Sequence, residues 1–296
     1  MRFISERIRK TYEEIGRYVY SNTLNIDNYK FIAGKYDNID EIKNAPEEGW
    51  IDFKTGDLWG EESHGWFKTS VKVPEEFAGQ TIALSFHTFL GDWDNTTNPQ
   101  FILYVNGEHI QGLDVNHQET ILTHNAVAGE VYNIDLHAHI GRIEGKKSTL
   151  HGKLVTIDEE ARKLYFNLSV PHIVATKLHE EDKRRIDMLT VLNDTINLID
   201  LRRPFTKEYN ESLKIANKYI EENFYDKMCG HEDMVATCVG HTHIDVAWLW
   251  TVAQTREKVA RSFSTVLKLM EEYPEYIFMS SQPQLYKFLK EDHPKV

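Results

Sequence analysis

Six apolar or small residues, Met234-Val235-Ala236-Thr237-Cys238-Val239, run directly into Gly240-His241-Thr242-His243-Ile244-Asp245. A short run of this composition predicts a buried strand, parallel and covered on both faces. That requirement points the C-terminal region toward an α/β layer architecture. With extended backbone through the motif, period-2 alternation puts His241, His243 and Asp245 on one face at the strand's C-terminal end. Imidazole nitrogen and carboxylate oxygen are the ligands a borderline cation such as Zn²⁺ takes. The C-terminal mouth of a parallel sheet or barrel is where such folds place their chemistry. Strand-end histidines held only by hydrogen bonds are the competing reading, and the His-x-His-x-Asp pattern favours metal over it.

The rest of the chain has three textures. Ile4, Ile8, Tyr12, Ile15 and Val19 fall at helical spacing and predict an N-terminal amphipathic helix. From about 50 to 168 short strands alternate with turn residues. Residues 66–73 end at Pro74, 81–87 follow Gly79, and 101–105 enter the turn pair Asn106-Gly107. Tyr132, Ile134 and Leu136 alternate with Asn133, Asp135 and His137, which sorts apolar and polar side chains to separate faces. This pattern describes an antiparallel sandwich or jelly roll. Near Pro171 the pattern becomes helical. Ser169 is positioned to cap a segment running to about Leu201, with Ile186, Leu189, Ile196 and Ile199 on its apolar side, and Arg203-Pro204 breaks it. Thr206 is positioned to cap a second helix. After the motif, residues 249–273 read as helix ended by Pro274, 276–281 as a second buried strand, and 284–290 as another helix. Strand, helix, strand, helix opens a parallel barrel or a doubly wound sheet.

The 296 residues carry 34 basic and 46 acidic side chains, a net charge of −12, which argues against nucleic acid or an anionic membrane as partner. No apolar run approaches the roughly 18–20 residues needed to span a bilayer, and the charged start lacks the centre of a signal peptide. Two cysteines, Cys229 and Cys238, are too few for a secreted disulfide scaffold. Sequons at Asn95, Asn167, Asn193 and Asn210 then read as chance, and a cytoplasmic protein is expected.

The stretch Val239-Gly240-His241-Thr242-His243-Ile244-Asp245-Val246-Ala247-Trp248-Leu249-Trp250 resembles the start of the catalytic domain of class II α-mannosidases, glycoside hydrolase family 38, in its cytosolic, vacuolar and bacterial branch. Arg256, Glu271-Glu272-Tyr273-Pro274 and Phe278-Met279-Ser280-Ser281-Gln282-Pro283-Gln284-Leu285-Tyr286 follow the same pattern. The likeness is close over about 238–292, looser over 60–230 and weak before that. It implies a zinc-dependent retaining exo-α-mannosidase on a seven-stranded β/α barrel, with one Zn²⁺ per active site. It also implies His243 and Asp245 as zinc ligands, His241 outside the ligand set, and Trp248 against the sugar. Zinc in this family also contacts hydroxyls of the bound mannose. The nucleophile, the acid/base and the remaining ligands are expected beyond residue 296, so none is assigned, and residues 1–296 alone are expected to be inactive.

The expected fold is α+β and multidomain: an N-terminal helix over 1–30, a β-sandwich over 31–169, a helical connector over 170–230, and the first strands and helices of an incomplete barrel over 231–296. The expected partner is an α-mannoside oligosaccharide, with no nucleic acid or membrane; a homo-oligomer is compatible. Two rival readings stay open. An amidohydrolase-type hydrolase would use both His241 and His243 as ligands, and a carbohydrate-binding module would use only the sandwich and connector. Asp92-Trp93-Asp94-Asn95 lacks the pattern of an EF-hand loop and reads as a solvated turn. Trp59, Trp66 and Trp93 read as packing rather than a sugar platform. Trp250, Val259, Phe263, Val266 and Leu267 read as the packed side of a helix.

Overall fold

The computed structural model describes residues 2–87, 98–140, 147–231 and 233–296. In chain order the elements are α1 (Arg2–Arg17), β1 (Tyr20–Ile26), β2 (Asn28–Ala33), α2 (Ile39–Lys43), β3 (Ile51–Lys54), β4 (His64–Lys72), β5 (Thr81–His87), β6 (Gln100–Val105), β7 (Glu108–Leu113), β8 (Glu119–Thr123), β9 (Val131–His139) and β10 (His151–Ile157). Helices follow: α3 (Glu159–Lys177), α4 (Lys183–Ile196), α5 (Lys207–Ile220), α6 (Asp226–Met228), α7 (Val252–Glu272) and α8 (Pro283–Asp292). By compactness, residues 1–23 group with 155–236, and residues 24–154 with 237–296.

The first unit is helical. Ile8, Tyr12 and Ile15 of α1 are buried in one cluster with Leu164 and Leu168 of α3, Leu192 of α4 and Leu213 of α5. Each such side chain contributes about 1.5–3 kcal/mol. The expected long helix from Ser169 is two helices instead. Asp158 caps α3 by accepting from Ala161 N, and Ser169 is buried in mid-helix. Ala161, Leu164, Leu168 and Ala175 keep helical spacing across Pro171, so packing carries the helix through a residue that removes one internal hydrogen bond. Asp182 caps α4, and Thr206 caps α5 as expected, accepting from Tyr209 N at 3.3 Å.

The second unit contains the antiparallel jelly roll. Its sheets are ordered β1-β10-β5-β8 and β3-β2-β4-β9-β6-β7. Phe31, Phe67, Phe101 and Leu136 from the larger sheet share a core with Ile82, Leu84 and Leu154. Asn106 and Gly107 link β6 to β7 with φ of +53° and +83°, the left-handed pair of a type I′ hairpin. Trp59 and Trp66 are both buried, which removes them from any sugar platform. Trp93 and the segment 92–95 lie outside the described residues.

Helix α7 covers the outer face of the larger sheet, where Ala260 joins Ile32, Trp66, Ile102 and Tyr104. The helix and β7 meet at Gly112. A Cβ there would lie 2.6 Å from Arg261 Cβ and 2.8 Å from its backbone Cα and O. Thr265 Oγ1 accepts from Gly112 N at 3.2 Å and lies 2.8 Å from the Arg261 carbonyl, sealing the junction. Gly112→Ala should therefore destabilise the protein by about 1–3 kcal/mol, read as a lower urea midpoint. An unchanged midpoint would show that the helix does not rest on β7 this closely. Val259, Phe263 and Val266 are buried as expected, whereas Leu267 is exposed. It lines a cleft of about 1010 Å³ with His109, His293 and residues of α2.

His109 in this cleft gives a pH prediction. Burial, with His293 alongside, pushes its pKa from 6.5 down to about 3, and its Nε2 is sealed without a hydrogen-bond partner. Between those values the unfolded chain holds a proton that the folded chain lacks. Stability is therefore full above about 6.5 and falls as pH drops toward 3. The ceiling is about 1.4 kcal/mol per pH unit, lowered because solvent reaches part of the ring. Denaturant midpoints at pH 7 and pH 5 should differ less in His109→Gln than in wild type; an equal difference would refute the assignment.

The expected strands at 234–239 and 276–281 do not form. Gly240 and Phe278 make one isolated parallel bridge, with Gly240 N donating to Ile277 O at 2.7 Å and Met279 N to Gly240 O at 2.9 Å. Met234, Val235, Val239, Ile277 and Met279 are exposed. A parallel strand of this composition is stable only when both faces are covered, and a single bridge gives no such cover. No closed barrel forms among the described residues.

Candidate metal and substrate site

The motif is held by its one buried side chain. Ile244 packs with Val259, Phe263 and Leu285, which leaves its neighbours His243 and Asp245 turned toward solvent. Gln282, just ahead of α8, fixes the backbone at Ile244 like an adjacent strand. Its Oε1 accepts from Ile244 N at 3.2 Å, and its Nε2 donates to Ile244 O at 2.9 Å.

Behind Asp245 the chain turns into α7. Thr251 caps that helix in a reciprocal capping box with Gln254. Thr255, fully buried one residue on, is the hub of the turn. Its Oγ1 accepts from Ala247 N at 3.2 Å and from Trp250 Nε1 at 3.1 Å. Trp250 Nε1 also points to Asp245 O at 3.2 Å. Ala247 sits at φ +66°, a left-handed conformation that costs a non-glycine residue about 1–2 kcal/mol. The strain turns the chain sharply, and the hydrogen bonds to Thr255 hold the turn.

These supports bring His243 and Asp245 together, with His243 Nε2 and Asp245 Oδ1 3.1 Å apart. Both side chains are about half exposed or more, so both are open to solvent. His241 is exposed and takes no part in that pair. Trp248 is 65% exposed, edge-on to Trp250 at 5.5 Å, so it is not a core residue here. Arg256 pairs with Asp292 at 2.6 Å and Glu291 at 2.8 Å and lies over Phe288, tying α7 to α8. Gln282 and Thr255 escaped the sequence reading. Gln282 lay within the Ser-Ser-Gln-Pro-Gln segment, but its bond to Ile244 spans 38 residues.

Residues 233–296 match the N-terminal domain of glycosyl hydrolases family 38, and residues 32–174 match the α-mannosidase jelly roll domain. Over 233–296 the chain is thus similar to glycoside hydrolase family 38. It is 26% identical over 275 residues to alpha-mannosidase G of Dictyostelium discoideum, covering 86% of this chain and 24% of that one. Against mouse alpha-mannosidase 2C1 it is 26% identical, covering 77% of this chain and 22% of the relative. An alpha-mannosidase of Saccharomyces cerevisiae is 34% identical over 154 residues, 48% of this chain and 14% of that one. The chain thus spans about a quarter or less of the length of these relatives. A β-glucuronidase from an uncultured Clostridium sp. aligns over 46% of this chain and 29% of that one, with 16% identity and a TM-score of 0.33, too slight a likeness to carry an argument. No helix among the described residues is long and apolar enough to cross a membrane.

Proposed function

We propose that the protein is a zinc-dependent retaining exo-α-mannosidase that removes terminal α-linked mannose from oligosaccharides. The observation that carries this reading is the pairing of His243 Nε2 with Asp245 Oδ1 inside the segment that matches family 38. One imidazole nitrogen and one carboxylate oxygen, held side by side and open to solvent, are a donor set that suits Zn²⁺. When bound, the metal supplies charge that orients hydroxyls of the sugar. His243 and Asp245 would hold it, Ile244 and Gln282 would fix their spacing, and Trp248 would offer a flat apolar face to the sugar ring. The pairing of His243 with Asp245 supports this set over an amidohydrolase pair of His241 and His243.

A retaining glycosidase also needs two carboxyls about 5–5.5 Å apart. We assign these, and the remaining zinc ligands, to the length by which the relatives exceed this chain. The exposed apolar residues at 234–239 and 277–279 are then faces of the first strands of a β/α barrel, covered by later units. Two exposed free thiols, Cys229 and Cys238, suit a reducing compartment and support a cytoplasmic placement.

Trp248 tests the sugar contact. Trp248→Ala in the full-length protein should lower kcat/KM for an aryl α-mannoside by roughly 10-fold or more, the scale of one lost apolar stacking face, with bound zinc unchanged. Unaltered kinetics would remove Trp248 from the subsite.

A further inference from the structure

Strands β4 and β9 pair with His64 directly opposite His139 and Trp66 opposite His137. Alternation places all four side chains on the face covered by α7. From that helix Glu257 reaches the same point, its Oε1 2.9 Å from His64 Nε2. One ligand atom each of His64, His139 and Glu257 lies within 4.8 Å of the other two. We propose that these three side chains form a divalent-metal site of the zinc class, separate in composition from the His243 motif, that ties α7 to the jelly-roll sheet.

Two imidazoles and a carboxylate are a ligand set zinc takes with a fourth position left to water. Around one ion at about 2.1 Å, tetrahedral ligand atoms stand about 3.4 Å apart. All three atoms lie within 4.8 Å of one another, so no pair has to close by more than about 1.4 Å, a movement within reach of side-chain rotation. His64 Nδ1 is bonded to Ser63 Oγ at 2.9 Å, the outer contact that orients a metal-bound imidazole. The side chains of His64 and Glu257 are each 15% exposed, which gives an ion a route in.

An independent sign is unmet polarity. Glu257 Oε2 and both ring nitrogens of His137 are sealed from solvent without hydrogen bonds, a condition native interiors rarely leave uncompensated. The His137 ring is stacked on Trp66 and centred 6.2 Å from His64. Arg261, buried with Nη1 4.0 Å from Glu257 Oε2, opposes a bound cation and lowers its affinity. It faces the second carboxylate oxygen and leaves Oε1 to the ion.

The test uses a His243→Ala/Asp245→Asn chain, so that the motif cannot bind, titrated with Co²⁺ and then Zn²⁺ alone. One equivalent of Co²⁺ should bind with a ligand-field spectrum, be displaced by Zn²⁺, and show two imidazole ligands by X-ray absorption. Adding Glu257→Gln, which keeps the shape and a hydrogen bond to His64, should weaken binding more than 10-fold with the metal-free melting temperature little changed. His139→Gln should do the same. Less than stoichiometric binding in the background chain, or binding that survives both Glu257→Gln and His139→Gln, overturns the proposal. If His139→Gln does not fold, the Glu257→Gln titration alone decides it.

Discussion

Replacing His243 by alanine or Asp245 by asparagine should strip zinc from the full-length protein and abolish α-mannoside hydrolysis, with little effect on folding. Both side chains are well exposed, and surface substitutions away from caps and cores shift stability by only about 0.5 kcal/mol. Loss of zinc therefore reads as loss of a ligand, not of structure. A change outside the ligand set costs about 10–100-fold in metal affinity, so removing a ligand should cost more than about 100-fold. His241→Ala should stay inside that range. The measurement is zinc per chain after dialysis at fixed free metal, beside hydrolysis of an aryl α-mannoside. Zinc lost in His241→Ala but kept in Asp245→Asn would replace the mannosidase reading with the amidohydrolase one.

The residues that made this site legible are those whose signal is local. His243, Asp245 and Trp248 fall within six positions, and the Thr206 cap and the Asn106-Gly107 hairpin are equally short-range. The jelly roll was readable because β9 alternates strictly, with Tyr132, Ile134, Leu136 and Ala138 turned into the core. That same alternation misled at its polar end. His137 is sorted to the polar face, yet α7 buries it together with His139, and the helix lies more than a hundred residues downstream. No local pattern announces such a cover.

Ser169 shows the opposite failure. It is a good cap by residue type beside a proline, but the apolar spacing from Ala161 to Ala175 outweighs both signals. The strands expected at 234–239 and 276–281 failed for a third reason. Their composition states a need for cover on two faces, and composition cannot supply the neighbours that meet it. The contact between His243 and Asp245 is nevertheless formed, because it depends on Ile244 and Gln282 and not on a complete strand.

Gln282→Met should then weaken zinc binding in the full-length protein by about 10–100-fold, the range for residues that orient ligands without touching metal. The substitution keeps the length and volume of the side chain and removes both hydrogen bonds to Ile244. Ile244 would stay buried against Val259 and Leu285, so the melting temperature should move little. Its backbone N–H and C=O, however, would lose the partner that sets the direction of the chain on either side. His243 and Asp245 project from those flanking positions, and their 3.1 Å approach depends on that direction. Since alignment of reacting groups is sensitive to displacements of about 1 Å, kcat/KM should fall along with the zinc affinity, and excess zinc should restore part of it. Wild-type zinc affinity in Gln282→Met would show that Ile244 packing alone positions the ligands, leaving Gln282 with no part in the site.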